Sequence, residues 1–203
     1  MRLYFFPASS NSRRALITAR HLGIEVDLEL VDLAKGEQKK PDFLKLNPNG
    51  RVPVLVDGDL TLYESHAIMQ YLADGVPGQT VYPTDRARRA DVNRWMFWSA
   101  QHFQPAIGVL SFERFVKPLR GLEPDPKEIA RGEALVHEVM GVLDKHLTDR
   151  EWVTEGKVTL ADLAIAPALL AKDRAKLPVG DYRNVAAWYE RVSALEAWRA
   201  TEG

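Results

Sequence analysis

The stretch Asn49–Asp59, "NGRVPVLVDGD", decides how this chain folds. Val52, Val54, Leu55 and Val56 make a run of apolar, mostly β-branched residues closed by Asp57-Gly58, a hairpin signal. The run reads as a buried strand, and "LTLY" (Leu60–Tyr63) as its hairpin partner. Pro53 interrupts that reading, because proline has no N–H for a ladder and is confined to edges, strand starts and bulges. Either Pro53 protects a strand edge, or the backbone beside it is left for something else to pair with.

Upstream, "RLYFF" (Arg2–Phe6) reads as a strand ended by Pro7, and "ASSNSRR" (Ala8–Arg14) as a polar turn rich in capping residues. A helix is predicted from Ser12 to Leu22, with Ala15, Leu16, Ala19 and Leu22 on one side and Gly23 as its stop. "EVDLELVD" (Glu25–Asp32) alternates, with Val26, Leu28 and Leu30 on one face, and predicts a half-buried strand. "LAKGEQKKPDFLKLNPNG" (Leu33–Gly50) is polar and turn-rich, with a short helix near Pro41–Leu46. After the hairpin, Ser65 is placed to cap a helix carrying Ala67, Ile68, Tyr71 and Leu72. The order β-α-β then β-β-α over residues 1–76 is that of a thioredoxin-like α/β domain, with Gly75, Pro77 and Gly78 as a linker. In that fold the loop before the third strand commonly holds a cis-proline. A cis bond at Val52–Pro53 would turn the Val52 main chain toward open space, where an extended peptide can pair with it.

From residue 84 to 203 the pattern becomes all-α. Val92, Trp95, Met96, Ser99 and Phe103 make one helical face, and Ile129, Val136, Val139, Met140, Leu143 and Leu147 another. "VTLADLA" (Val158–Ala164) starts a helix with Thr159 as cap and Asp162 as the other half of a capping box. Pro167 is expected to bend that helix, and a last helix runs near Val185–Leu195 with Trp188 and Trp198 as packing anchors.

Composition excludes several classes. A net charge of −1 leaves no basic footprint for nucleic acid or an anionic membrane, and no apolar run approaches a membrane span. The amino terminus lacks a signal-peptide layout, so a cytoplasmic location is expected. The chain has no cysteine and therefore no disulfide, thiolate metal site or thiol nucleophile of its own. None of the five histidines falls into a metal-binding spacing, so no metal is expected.

Four stretches together resemble the glutathione transferases: "LYFFPASSNSRRALITARHLG" (Leu3–Gly23), "GEQKKPDFLKLNPNGRVPVL" (Gly36–Leu55), "DGDLTLYESHAIMQYLA" (Asp57–Ala73) and "VTLADLAIAP" (Val158–Pro167). The resemblance covers nearly the whole chain and is strongest to the serine-type cytosolic enzymes of the phi- and theta-like bacterial and plant groups. It implies a homodimeric, cytoplasmic detoxification enzyme that joins the thiolate of glutathione to small hydrophobic electrophiles. Glutathione-dependent peroxide or disulfide reduction, and a non-catalytic ligand-binding role on the same fold, are the alternatives. Some relatives place an aromatic key between Pro48 and Gly50, where this chain has Asn49.

The resemblance also implies residue roles. Glu64 and Ser65 meet the γ-glutamyl ammonium and carboxylate, and a helix N-terminus favours that carboxylate. Val52, ahead of Pro53, pairs its main chain with the glutathione cysteine. Arg51 stands where plant relatives often have glutamine. Gln38 and Lys39 match positions that hold the glycine carboxylate, for which an ammonium is a fitting partner.

The glutathione thiol must react as thiolate, although its unperturbed pKa is about 8.5. A hydroxyl or amide donor between the first strand and the first helix favours the anion, with the helix terminus adding positive potential. Ser9, Asn11 and Ser10 are the candidates, in that order, and one member of the cluster is expected to be a helix cap. An electrophile pocket is placed between the domains, with Phe6, Trp98, His102 and Phe115 as candidate lining; Tyr4 is read as core.

Overall fold

The structure, a computed structural model, describes residues 1–154 and 156–201. It divides into two compact units, residues 1–82 together with the residues from Leu195 onward, and residues 83–194.

The first unit is built on four strands, β1 (Arg2–Phe5), β2 (Asp27–Leu30), β3 (Val54–Asp57) and β4 (Leu60–Tyr63), in the order β2-β1-β3-β4. β2 runs parallel to β1, whereas β3 is antiparallel to both β1 and β4. One face carries Leu3 and Leu55 against Ala15 and Ala19 of α1 (Ser10–His21) and Ile68 and Leu72 of α3 (Ser65–Asp74). The other face gathers Val31, Phe43, Val52 and Val54, with Phe43 contributed by α2 (Pro41–Leu46). Tyr4 meets Phe43 edge-to-face at 6.2 Å on that side and is part of the core packing.

Three local readings need correction. β2 is an exposed edge strand, not a half-buried one: Leu28 and Leu30 are 41% and 54% exposed. Alternation recorded its two faces, but only the strand order reveals that β2 lies at the rim of the sheet. α1 begins at Ser10 and is capped by Ser9, whose Oγ accepts from Ser12 N–H at 3.2 Å. Ser65 is not the cap of α3 but its first helical residue; Glu64 holds the cap position and makes no side-chain capping bond.

In the second unit α4 (Arg86–Trp98), α5 (Gln104–Ser111) and α6 (Lys117–Leu119) form a nearly continuous rod joined by π-helical turns at Ser99–Phe103 and Phe112–Val116. Each widened turn precedes a proline, Pro105 or Pro118, whose missing N–H would break an unmodified helical ladder. α7 (Pro126–His146) packs on α5, where Gly132 sits so close to Val109 and Leu110 that a Cβ would stand 2.9 and 2.8 Å from their side chains.

α8 (Leu160–Ile165) carries the expected capping box. It gives way to a 3₁₀ turn at Ala166–Leu169, which contains Pro167. Asp162, fully buried, accepts from Val153 N–H at 2.9 Å and Trp188 Nε1–H at 2.8 Å, tying the preceding loop and α9 (Arg183–Ser193) to α8. α10 (Glu196–Arg199) belongs to the first unit, where Trp198 stacks on the Arg13 guanidinium and its carbonyl accepts from Arg13 Nη2 at 2.9 Å.

Candidate active site

Sheet register assembles the site. Tyr4 partners Val54, and Val54 partners Tyr63. The segment after β1, the segment before β3 and the segment after β4 therefore emerge at one end of the sheet. They carry Ser9–Asn11, Arg51–Pro53 and Glu64–Ser65 respectively. The turn holding Gln38 and Lys39 joins them: a Cβ on Gly50 would stand 2.8 Å from the Gln38 carbonyl oxygen and 2.9 Å from Lys39 Nζ. Four stretches far apart in sequence thus meet at one end of the sheet.

The first loop is held by local hydrogen bonds. Ser9 N–H donates to the Phe6 carbonyl at 3.0 Å and Phe6 N–H to Ser12 Oγ at 3.2 Å. Ser9 Oγ spends a lone pair on the Ser12 N–H, which leaves its own proton free to be donated elsewhere. Capping and donation are therefore compatible in one hydroxyl, and accepting a hydrogen bond makes that hydroxyl the better donor. Asn11 Oδ1 accepts from the guanidinium of Arg14, a residue wholly removed from solvent. Ser10 lies beside them as the first residue of α1.

The peptide bond between Val52 and Pro53 is cis. The β3 ladder begins only at Val54, and among the described residues no hydrogen bond takes up the N–H or C=O of Val52. Asn47 pins the turn ahead of it, donating through Nδ2 to the Arg51 carbonyl at 2.7 Å and accepting from Asn49 N–H at 3.0 Å. The Val52 side chain is buried against Phe43 and Val54, so its backbone is held at a fixed place along the rim.

At α3 the terminal N–H groups start at Ser65, itself buried. Glu64 has φ +70°, a left-handed value that costs a non-glycine residue and that collects at functional positions. Lys40 is engaged with Glu37 on the surface at 2.9 Å, whereas Lys39 turns toward Gly50. Gln38 Oε1 is buried without a partner.

The four pocket candidates fall on different units. Phe6 packs at the edge of the Val31–Val54 cluster of the first. In the second, Trp98 contacts the rings of Trp95 and Phe103 at 5.1 and 5.3 Å, His102 is exposed in a π-helical turn, and Phe115 lies under Arg174 at 5.0 Å.

The sequence reading missed Arg14, Asn47, Gly50 and His66. Polar side chains and a glycine in a turn-rich stretch carry no sign that they will be buried supports. His66, on α3, is pushed down to about pKa 3, first by burial and then by the Arg14 charge, and its Nε2 has no partner.

Comparison with known proteins identifies the family of both units. Residues 1–74 match the family profile described as glutathione S-transferase, N-terminal domain, and residues 100–196 match glutathione S-transferase, C-terminal domain. The chain is 33% identical to glutathione S-transferase F10 of Arabidopsis thaliana over 96% of this chain and 93% of that protein. It is 34% identical to glutathione S-transferase 3 of Zea mays over 99% and 92%. The crystal structure of glutathione transferase F7 from Populus trichocarpa superposes with a TM-score of 0.91 at 31% identity, covering 98% of this chain and 96% of that one. Among the described residues no helix is long and apolar enough to cross a membrane. A thioredoxin-like unit, a helical unit and full-length similarity to these plant enzymes lead to one conclusion: the chain belongs to the glutathione S-transferase family and is a glutathione transferase.

Proposed function

We propose that glutathione lies along the rim of the first unit as an added strand, and that Ser9 and Asn11 hold its sulfur as thiolate for attack on a small hydrophobic electrophile. The observation that carries this reading is the unpaired main chain of Val52: a backbone N–H and C=O beside a buried side chain call for a partner, and an extended tripeptide supplies both complements. The γ-glutamyl carboxylate then falls at the uncapped N-terminus of α3 with the Ser65 hydroxyl, and Glu64 faces the ammonium. Lys39 and Gln38 take the glycine carboxylate, with Arg51, exposed at the rim, adding charge.

In this pose the sulfur lies toward the Ser9–Asn11 loop. The Ser9 O–H and an Asn11 N–H donate to it while the N-terminus of α1 adds positive potential, so the anion is favoured over the thiol. The thiolate forms a bond to the electrophilic carbon as the leaving group departs, or adds across an activated double bond. The chain contributes no thiol, having no cysteine. On the first unit, Phe6 supplies apolar surface for the electrophile. The finer placement within the family is the serine-type phi-like group, supported by the F-series plant relatives; a cytosolic homodimer is what the family resemblance implies.

The test compares three activities of the purified protein: conjugation of an aryl halide, peroxide reduction, and retention on immobilised glutathione. Conjugation above peroxide turnover supports the reading. Retention without turnover overturns it in favour of a carrier, and peroxide turnover above conjugation in favour of a reductase.

A further inference from the structure

Arg14 is 0% exposed, yet it carries a charge. Taking a guanidinium out of water is costly, and an apolar side chain of similar volume would fill the site more cheaply. Its setting bears that cost, because burial lowers the Arg14 pKa to about 9. His66 of α3, close enough to feel the Arg14 charge, is itself held neutral. Among its contacts the guanidinium donates to Asn11 Oδ1, one helical turn nearer the N-terminus of α1.

That contact defines the Asn11 carboxamide. Arginine has only donors, so the atom it binds must be the oxygen, and Nδ2 with its two N–H groups is turned the other way. A cation on the oxygen also draws electron density from the amide and makes Nδ2–H the stronger donor. Without it the carboxamide is free to flip and to present an acceptor oxygen where a thiolate should sit.

We propose that Arg14 is a positioning residue for thiolate formation, holding Asn11 so that its amide N–H, not its oxygen, faces the sulfur of bound glutathione. This deepens the proposed function and rests on Asn11 being a thiolate donor. Arg14 acts through Asn11 and touches no substrate.

The experiment is a double-mutant cycle with Asn11→Ala, Arg14→Met and the pair. The readouts are the ultraviolet absorbance of the glutathione thiolate bound at neutral pH and the split between kcat and glutathione KM. Methionine keeps most of the volume and removes the buried charge, and thermal unfolding checks that each variant is folded. We expect Arg14→Met and Asn11→Ala each to lower thiolate absorbance and kcat by about tenfold, on the scale of one charge-assisted hydrogen bond, while glutathione KM changes by less than about threefold. The double variant should be no worse than Asn11→Ala alone. Arg14→Lys, which restores a cation but not the planar fork, should recover part of the loss, and it replaces Arg14→Met if that variant does not fold. Additive losses, or a change confined to KM, would overturn the role of Arg14. So would an Arg14→Met variant with normal thiolate beside an impaired Asn11→Ala. If Asn11→Ala itself leaves the thiolate unchanged, the assignment of Asn11 fails, and the proposal with it.

Discussion

Lys39 Nζ rests 2.9 Å from the point where a Cβ on Gly50 would stand, and the Gln38 carbonyl oxygen is 0.1 Å nearer still, at 2.8 Å. Gly50 also has φ +60°, where an L side chain is strained. The same glycine therefore admits the turn ahead of Val52 and makes room for the ammonium assigned to the glycine carboxylate. Gly50→Ala should cost about 1–3 kcal/mol of stability and raise glutathione KM by about fivefold or more, with kcat little changed. Gly50→Asn separates the two effects, because asparagine tolerates the left-handed backbone but still carries a Cβ. Its KM should stay raised, while its melting temperature recovers only the part lost to backbone strain, because the Cβ still meets the Gln38 carbonyl oxygen. Steady-state kinetics and thermal unfolding of both variants check this.

Ser9 combines a cap and a donor, and substitution can divide them. Ser9→Ala loses both, with about 0.5–2 kcal/mol of stability and roughly a hundredfold in kcat. Aspartate is as good a cap as serine, since its carboxylate accepts the Ser12 N–H now taken by Ser9 Oγ. It has no proton to give a thiolate and adds a like charge. Ser9→Asp should therefore melt close to the unmodified protein while showing less bound thiolate than Ser9→Ala. Ser9→Thr, with both functions present, should stay within about tenfold in kcat. Thiolate absorbance and thermal unfolding of the three variants distinguish capping from donation.

Much of the fold was legible in short-range chemistry. Asp57-Gly58 announced the β3–β4 hairpin, and Thr159 with Asp162 announced the start of α8, because both signals are complete within a few residues. The exposure of Leu28 was not legible: its neighbours across the sheet decide whether a leucine on a strand is covered, and β2 has a neighbour on one side only. The same limit applies to the site. Local pattern and resemblance put forward Ser9, Val52 and Ser65, each beside the end of a strand or the start of a helix. Arg14 looked like one more charge in "NSRR", since its burial depends on elements distant in sequence, α3 among them, packing on α1. Glu64 was put forward for the γ-glutamyl ammonium, but its left-handed backbone has no sequence signature when the residue is not glycine.

Asp162 supports the second unit. Its carboxylate gathers Val153 N–H, Trp188 Nε1–H, and the N–H and hydroxyl of Thr159. Asp162→Ala strands those buried donors together and should destabilise the protein by about 3–5 kcal/mol. At a temperature where the variant is still folded, glutathione KM should be unchanged, because every residue assigned to glutathione lies in the first unit. Denaturant unfolding beside steady-state kinetics tests both halves of that statement.

His66 and Asp162 give the protein opposing responses to acid. His66 titrates near 3 when folded and near 6.5 when unfolded, depressed by burial and then by Arg14. The unfolded chain binds the extra proton, so stability carried by neutral His66 is lost as pH falls from about 6.5 toward 3, at about 1.4 kcal/mol per pH unit. Asp162 titrates near 6 when folded, raised by desolvation from 3.8, against which its four hydrogen bonds act. Here the folded state binds the proton, so its contribution is full below about pH 4 and is lost as pH rises through about 6, at the same slope. Between about pH 4 and 6 the two nearly cancel. His66→Gln should unmask a stability that falls as pH rises across this window, and Asp162→Asn one that rises, whatever the absolute stability of either variant. Urea unfolding at half-unit pH intervals measures the slopes. Parallel profiles for the two variants would show that these groups do not set the acid response.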